Sequence, residues 1–189
     1  MNKLVIIAFV GLCSTLLIGN GDCKELDFHF IKMVKMNESD ELFKYDLKSV
    51  EKIDQTSFKV NSEIDLFVDL DAEWHFWIQI YRNEDGSENF DEKPLISIPK
   101  KEFCEFMKTT YKQYFWESLE KSSNLPPPET CPIKAGNYWI KDYIFDGGKY
   151  KSFAKGGGYR VDMFVSQDHE ESHITKMGVQ IFGKVEEKE

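Results

Sequence analysis

The stretch CPIKAGNYWIKDYIFDGGKYKSFAKGGGYRVDMFV, residues 131–165, decides the fold class. It contains an aromatic and β-branched run, Tyr138–Phe145, and a second such run, Tyr159–Val165. Runs of this kind are typical of β-strands. Glycines at 147–148 and at 156–158 break the segment between them, and glycine is one of the residues that most often mark turns. The stretch therefore predicts two strands joined by a glycine-rich connection.

The clearest alternation of apolar and polar residues runs from Phe58 to Leu70. This period of two predicts an antiparallel strand with one face in water. Residues 71–73 are then predicted to turn, and Trp74–Tyr81 is predicted to return as the partner strand of a hairpin. Further strands are predicted at 26–31, 43–50, 94–99 and 173–185.

One amphipathic helix is predicted over about residues 100–121. Its apolar positions recur at helical spacing, at Phe103, Phe106, Met107, Thr110, Tyr111, Tyr114, Phe115 and Leu119. The proline run at 126–128 requires the helix to have ended before it. About eight strands, one helix and no linker long enough to divide domains predict an all-β fold. We expect a single antiparallel β-sandwich over residues 22–189, with one inserted helix.

The amino-acid composition and net charge argue against some classes of binding partner. Hydrophobic residues make up 41% of the chain and aromatic residues 14%, as in globular proteins. The formal net charge of -9 argues against nucleic acid as a partner. It also argues against electrostatic adhesion of the protein to anionic lipid surfaces.

The first 21 residues have the features of a secretory signal peptide. Lys3 precedes a nearly uninterrupted apolar run over Leu4–Ile18, and small residues Gly19 and Gly21 follow. An uncleaved anchor is the alternative, but the run is short for a membrane-spanning helix. We therefore expect a secreted, extracellular protein that does not span the membrane.

Three cysteines, Cys23, Cys104 and Cys131, remain after signal cleavage, so one is left unpaired or pairs between chains. Three pairings are possible. We favour Cys104–Cys131, because it ties the end of a strand-to-helix segment to the start of the next strand. Cys23 is then either a thiol at a mobile terminus or a link to another chain. Asn37 begins an Asn-Glu-Ser glycosylation sequon in a polar stretch.

The residues that often carry catalysis or bind metals do not form a recognisable set. His169 and His173 have the i, i+4 spacing of zinc ligands, but they lie in a predicted polar turn. No Gly-x-Ser-x-Gly nucleophile elbow occurs, and the acidic stretch 69–73 lacks the glycine of a calcium loop. We predict no catalytic residues, no metal and no cofactor.

The chain resembles a family of secreted insect proteins that includes the CheB-type chemosensory proteins. That family belongs with the ML lipid-recognition domains and the ganglioside activator protein. The resemblance implies an immunoglobulin-like sandwich, the Cys104–Cys131 pairing, lipid-like ligands and, for chemosensory relatives, detection of pheromones or contact chemicals. The residues that carry it are Cys131, Pro132, Gly136, Tyr138, Phe145, Asp146, Gly158, Tyr159, Arg160 and Asp162.

The surplus of aromatic residues leads to a functional hypothesis. Flat apolar side chains suit the lining of a cavity for a lipid, fatty acid or hydrocarbon. The first hypothesis is therefore a non-enzymatic carrier with such a ligand between its sheets and with a receptor as a further candidate partner. The alternative is an extracellular protein–protein interaction module with a dry core and an aromatic binding surface. The predicted lining residues are Trp74, Phe76, Ile78, Ile80, Phe106, Tyr138, Ile140 and Phe145.

Overall fold

The computed structural model describes residues 25–36, 42–169 and 172–188; of residues 168–169 and 172–177 it describes only the backbone. Three expectations lie outside these residues: the signal peptide over residues 1–21, the interchain link through Cys23 and the sequon at Asn37.

Eight strands and one helix make up the described chain. The helix, α1, is α-helical over Phe103–Phe106, π-helical over Met107–Trp116 and α-helical again over Glu117–Leu119. The strands are β1 (Glu25–Met36), β2 (Phe43–Lys52), β3 (Ser57–Leu66), β4 (Trp74–Asn83), β5 (Ile96–Glu102), β6 (Gly136–Asp146), β7 (Gly157–His169) and β8 (Ser172–Lys188).

The strands form two antiparallel sheets. The larger has the order β1-β8-β7-β4-β5 and the smaller has the order β2-β3-β6. The chain crosses between the sheets in four of its connections, β1–β2, β3–β4, β5–β6 and β6–β7, and α1 lies in the crossover from β5 to β6. The predicted all-β sandwich with one inserted helix is confirmed.

The predicted hairpin between Phe58–Leu70 and Trp74–Tyr81 is wrong. β3 pairs with β2 and β6, whereas β4 pairs with β5 and β7 in the other sheet. The chain leaves β3 at Leu66, and Leu70 then forms an isolated bridge with Ile133. A period of two shows that one face of a strand is buried, but it does not show which strand lies beside it.

The helix begins three residues later than predicted. Lys101 and Glu102 are extended and pair with Phe76 and His75 of β4. Pro99 is tolerated in β5 because β5 is an edge strand. Tyr114, predicted on the apolar stripe, is 63% exposed. Because each π-type turn takes in one more residue than an α-turn, the buried stripe drifts away from the predicted spacing.

The predicted disulfide is present. Cys104, in the first turn of α1, is bonded to Cys131, and their Cα atoms are 5.6 Å apart. Cys131 lies close to the Leu70–Ile133 bridge. The bond therefore fastens the start of the helix to the segment that leads into β6.

Replacing both cysteines, Cys104→Ser with Cys131→Ser, should lower the free energy of unfolding by about 3.5 kcal/mol, as the chain-entropy relation gives for a loop of 27 residues. Urea denaturation of the two proteins measures the difference. The double variant avoids leaving a free thiol in one partner. An unchanged urea midpoint would contradict the stabilising role of this bond.

Candidate functional site

The space between the two sheets is tightly packed at the end where α1 lies, which we call the helix end. The helix touches β4 and β5 near its start and β6 near its last turn, so it bridges both sheets. The rings of Phe106 and Phe76 are 4.1 Å apart, centroid to centroid. The buried cluster at this end consists of Phe43, Leu66, Leu70, Trp74, Phe103, Phe106, Met107, Tyr111, Leu119 and Ile133.

At the opposite end, which we call the turn end, the two sheets are joined by hydrogen bonds and ion pairs. Phe28 in β1 donates its N–H to the carbonyl of Gln55 at 2.7 Å. Asp27, also in β1, contacts Lys52 at the end of β2, and its other oxygen lies 2.8 Å from Lys188 Nζ. These two ammonium groups, Lys188 first, lower the pKa of Asp27 to about 2.

Between these two ends the inner face of β4, β7 and β8 is apolar, while Lys35 of the neighbouring β1 pairs with Val179 on that face and its ammonium group lies 5.6 Å from the Phe43 ring. Ile80 in β4 pairs with Val161 in β7, which pairs with Ile181 in β8. Ile78, Met163 and Val179 form the next row toward the helix end. These rows lie on the face of Trp74 and Phe76, because side chains alternate along a strand.

The middle rows are less enclosed than the helix end. Ile80, Val161, Met163, Val179 and Ile181 are half-buried, whereas Ile78, in the row nearer the helix end, is 5% exposed. The helix-end side chains Trp74, Phe103, Phe106, Met107 and Tyr111 are buried. An apolar inner face that stays partly accessible can accept an apolar guest, since contact with it removes further apolar surface from water. This part of the inter-sheet space is the candidate site.

The eight predicted lining residues divide into two groups. Trp74 and Phe106 belong to the buried cluster of the helix end, and Phe76, Tyr138 and Ile140 pack against it. Ile78, Ile80 and Phe145 lie outside that cluster. Ile78 and Ile80 continue along β4, and Phe145 is paired with Phe58 on the smaller sheet, with ring centroids 6.5 Å apart.

Sequence reasoning missed the aliphatic residues of β7 and β8. Val161 and Met163 alternate within YRVDMFV, and Val179 and Ile181 alternate within β8, so the periodicity was present in the sequence. The prediction instead emphasised aromatic residues, and most of these lie in the packed core of the helix end.

A hollow of about 210 Å³ opens where two β-bulges meet in the smaller sheet. Asp142 has a φ of 52° there and donates its N–H to Asn61 Oδ1 at 2.9 Å. Typical ligand pockets have volumes of about 300–1,000 Å³ and are mostly apolar. This hollow is smaller, and six of its seven lining residues have polar or charged side chains; the seven are Lys48, Asn61, Ser62, Glu63, Ile140, Lys141 and Asp142.

The outer face of the larger sheet carries a buried ion pair. Asp162 is 2% exposed, and its Oδ1 lies 3.0 Å from Arg160 Nε without the alignment of a hydrogen bond. Burial raises the pKa of Asp162. The guanidinium of Arg160 stacks on Tyr81, at 4.1 Å, and on Phe90, at 5.2 Å. Phe90 lies in the connection between β4 and β5, so the pair holds that connection against the sheet.

A row of Glu102, His75 and Ser166 crosses β5, β4 and β7. Serine hydrolases use these residue types, but a nucleophile must reach its substrate. Ser166 is 1% exposed, and its Oγ has no hydrogen-bond partner in the described chain. The side chains of His169 and His173 are not among those described. The described residues contain no group of three His, Cys, Asp or Glu side chains placed to hold a metal ion.

Residues 76–161 match the family described as "Protein of unknown function (DUF1091)". The match covers just under half of the chain, from β4 to the first part of β7, and includes α1 and the disulfide. None of the curated proteins compared with the chain matches it. Within the described ranges, no helix is both long and apolar enough to cross a membrane.

The difference in packing between the helix end and the middle rows predicts different costs of truncation. Phe106→Ala should lower the free energy of unfolding by about 3–5 kcal/mol, because it leaves a cavity in a packed core. Met163→Ala removes a half-buried side chain and should cost less than about 2 kcal/mol. Urea denaturation measures both, and equal losses would mean that the middle rows are packed as tightly as the helix end.

The lowered pKa of Asp27 predicts a pH-dependent effect of Asp27→Asn. The stabilisation from this carboxylate is fully present above its ordinary pKa near 3.8 and is lost as pH falls through about 2. The variant should therefore unfold at a lower urea concentration than the parent at pH 7, and the gap should shrink toward pH 2. A gap that is the same at both pH values would show that the ion pairs do not stabilise the fold.

Proposed function

We propose that the protein is a secreted, non-enzymatic carrier that holds a lipid, fatty acid or hydrocarbon between its two sheets. The observation that carries this proposal is the pair of apolar rows on the inner face of β4, β7 and β8, in which five of the six side chains are half-buried and only Ile78 is buried. The guest would lie along these rows, beyond the packed contact of Phe76 with Phe106.

The chemistry of these rows favours a hydrocarbon chain as the bound group. Each methylene taken from water is worth about 0.8 kcal/mol, so a long chain binds usefully without a charged contact. The six side chains of the two middle rows are all apolar, namely Ile78, Ile80, Val161, Met163, Val179 and Ile181.

The resemblance to the CheB-type proteins and to the ML lipid-recognition domains supports the same class of ligand. It rests mainly on residues 131–165 and the cysteine pair. On that resemblance, we further propose that the bound molecule is a contact chemical or pheromone detected by an insect.

An extracellular interaction module with a dry core is the second candidate. The tight packing around α1 favours it, because the aromatic residues expected to line a cavity there are in contact with one another. The two candidates differ in whether the middle rows accept a guest.

A blocking substitution tests the carrier function. The full-length protein, secreted from insect cells, is titrated with the fluorescent fatty acid cis-parinaric acid, and a sample is extracted with organic solvent to recover any bound lipid. Val161→Trp places a large side chain in a middle row and should lower probe affinity at least tenfold. Val34→Trp is the matched control, because Val34 is an exposed residue of β1 that pairs with Gln180 on the outer face.

Circular dichroism and urea denaturation establish that both variants fold. Probe binding by the parent and by Val34→Trp, with loss in Val161→Trp, supports a ligand in the middle rows. A parent protein that carries no extractable lipid and ignores the probe would overturn the carrier function in favour of the interaction module. Equal binding by all three proteins would overturn the location of the site.

A further inference from the structure

The connection between β6 and β7 differs in charge from the rest of the protein. Residues 147–156, which we call the basic tip, read GGKYKSFAKG and contain Lys149, Lys151 and Lys155 but no acidic residue. The whole chain has a net charge of -9. The three lysines are exposed, and no ion pair joins them to a carboxylate among the side chains that the structure describes.

Two aromatic side chains of the basic tip face solvent. Phe153 is 72% exposed and Tyr150 is 47% exposed. Single exposed apolar side chains are common on protein surfaces, but contiguous ones mark interaction sites. Here Phe153 and Tyr150 are interleaved with the three lysines over seven residues, Lys149–Lys155.

Local contacts anchor the basic tip to the sandwich. Gly148 donates its N–H to Asp146 Oδ1 at 2.9 Å, and Phe153 donates its N–H to the carbonyl of Tyr150 at 2.9 Å. The Tyr150 ring stacks on Phe145, with centroids 5.9 Å apart. At the other end, Gly156 donates its N–H to Glu187 Oε1 at 2.8 Å. The tip is therefore folded onto the sheets at both of its ends while Phe153 stays uncovered.

A second exposed apolar residue lies at the same end of the sandwich. The turn between β2 and β3 is joined to the basic tip by the N–H of Gly147, which donates to the carbonyl of Thr56 at 2.9 Å. Ile53 in that turn is 54% exposed. The turn end thus presents apolar side chains on two adjacent connections, with the lysines of the basic tip beside them.

We propose that the basic tip is a docking surface for a bilayer that contains anionic lipids. Lysines attract anionic headgroups, and aromatic rings prefer the interface between headgroups and hydrocarbon. The interleaving of lysines with exposed aromatic rings matches the two layers of a bilayer surface, headgroups and interface, and an acidic protein is the other occupant that the test below distinguishes. The acidic remainder of the chain is repelled by the same membrane, so it favours approach with the tip first.

This docking goes beyond the carrier function and does not depend on it. Vesicle binding and probe binding are separate measurements, so the failure of one leaves the other intact.

Sedimentation with vesicles tests the docking surface. The full-length secreted protein is mixed at low ionic strength with phosphatidylcholine vesicles in which about one lipid in three is the anionic phosphatidylserine. Phosphatidylcholine vesicles are the uncharged reference. We expect binding to the anionic vesicles that weakens on addition of salt.

Two matched pairs of variants locate the contact. Changing Lys149, Lys151 and Lys155 to Gln should lower partitioning about 100-fold, at about fivefold per lysine. Changing the exposed Lys44, Lys108 and Lys121 to Gln alters the net charge equally and should have a much smaller effect. Phe153→Ser should lower partitioning on the order of tenfold, whereas Tyr114→Ser, at an exposed aromatic residue of α1, should not.

Three results would overturn the proposal. The first is a parent protein that does not sediment with anionic vesicles at low salt. The second is an equal loss in the two lysine triple variants, which would mean that only net charge matters. The third is retention on an acidic polypeptide column without vesicle binding, which would identify an acidic protein as the partner of the basic tip.

Discussion

Contact between α1 and both sheets is the constraint on which the rest of the structure depends. A helix with its side chains is about 10–12 Å wide, and packed sheets lie about 10 Å apart, so a helix that bridges two sheets sets their separation where it lies. Phe106 fills that region by packing on Phe76. The disulfide of Cys104 with Cys131 fixes the start of the helix, so the bridge cannot slide along the edge strands β5 and β6.

The opposite end is held by a different kind of interaction. There Asp27, Lys52 and Lys188 join β1, β2 and β8 through charge, and main-chain hydrogen bonds join the turns. The sheets are thus fastened by apolar packing at the helix end, and at the turn end by polar contacts together with the buried side chains of Phe58 and Val185. Neither the contacts of the helix end nor those of the turn end reach the middle rows, which accounts for the incomplete burial of most of their side chains.

The sequence predicted where the strands and the helix lie in the chain better than it predicted which strands lie side by side. Alternation, together with aromatic and β-branched runs, located seven of the strands within a few residues, because both signals are recorded along a single strand. It did not show that β3 and β4 lie in different sheets, because pairing depends on residues far apart in the chain. Nor did it show the π-type turns that leave Tyr114 in solvent, since helical spacing assumes regular α-turns.

The predicted lining gave most weight to aromatic residues and included only Ile78 and Ile80 of the middle rows. Aromatic residues are conspicuous in a sequence, and in this fold many of them form the packed helix end. Aliphatic residues at alternate positions of β7 and β8 look like ordinary core. Only the pairing of Val161 with Ile80 and Ile181 places them in one row, and only their partial burial separates them from core.

Two of the residues that carry the family resemblance, Arg160 and Asp162, stabilise the larger sheet and do not line the candidate site. Arg160 and Asp162, in the Gly-Tyr-Arg-x-Asp stretch, lie on the outer face of β7, where they hold Phe90 and its connection against the sheet. A buried ion pair tolerates few replacements, because removing one partner leaves the other charge unpaired. Val161, which lies between them in sequence, points to the opposite face, between the sheets. The same strand therefore combines a rigid outer cluster with an aliphatic inner row, and a ligand would depend on the residues that are least distinctive in the sequence.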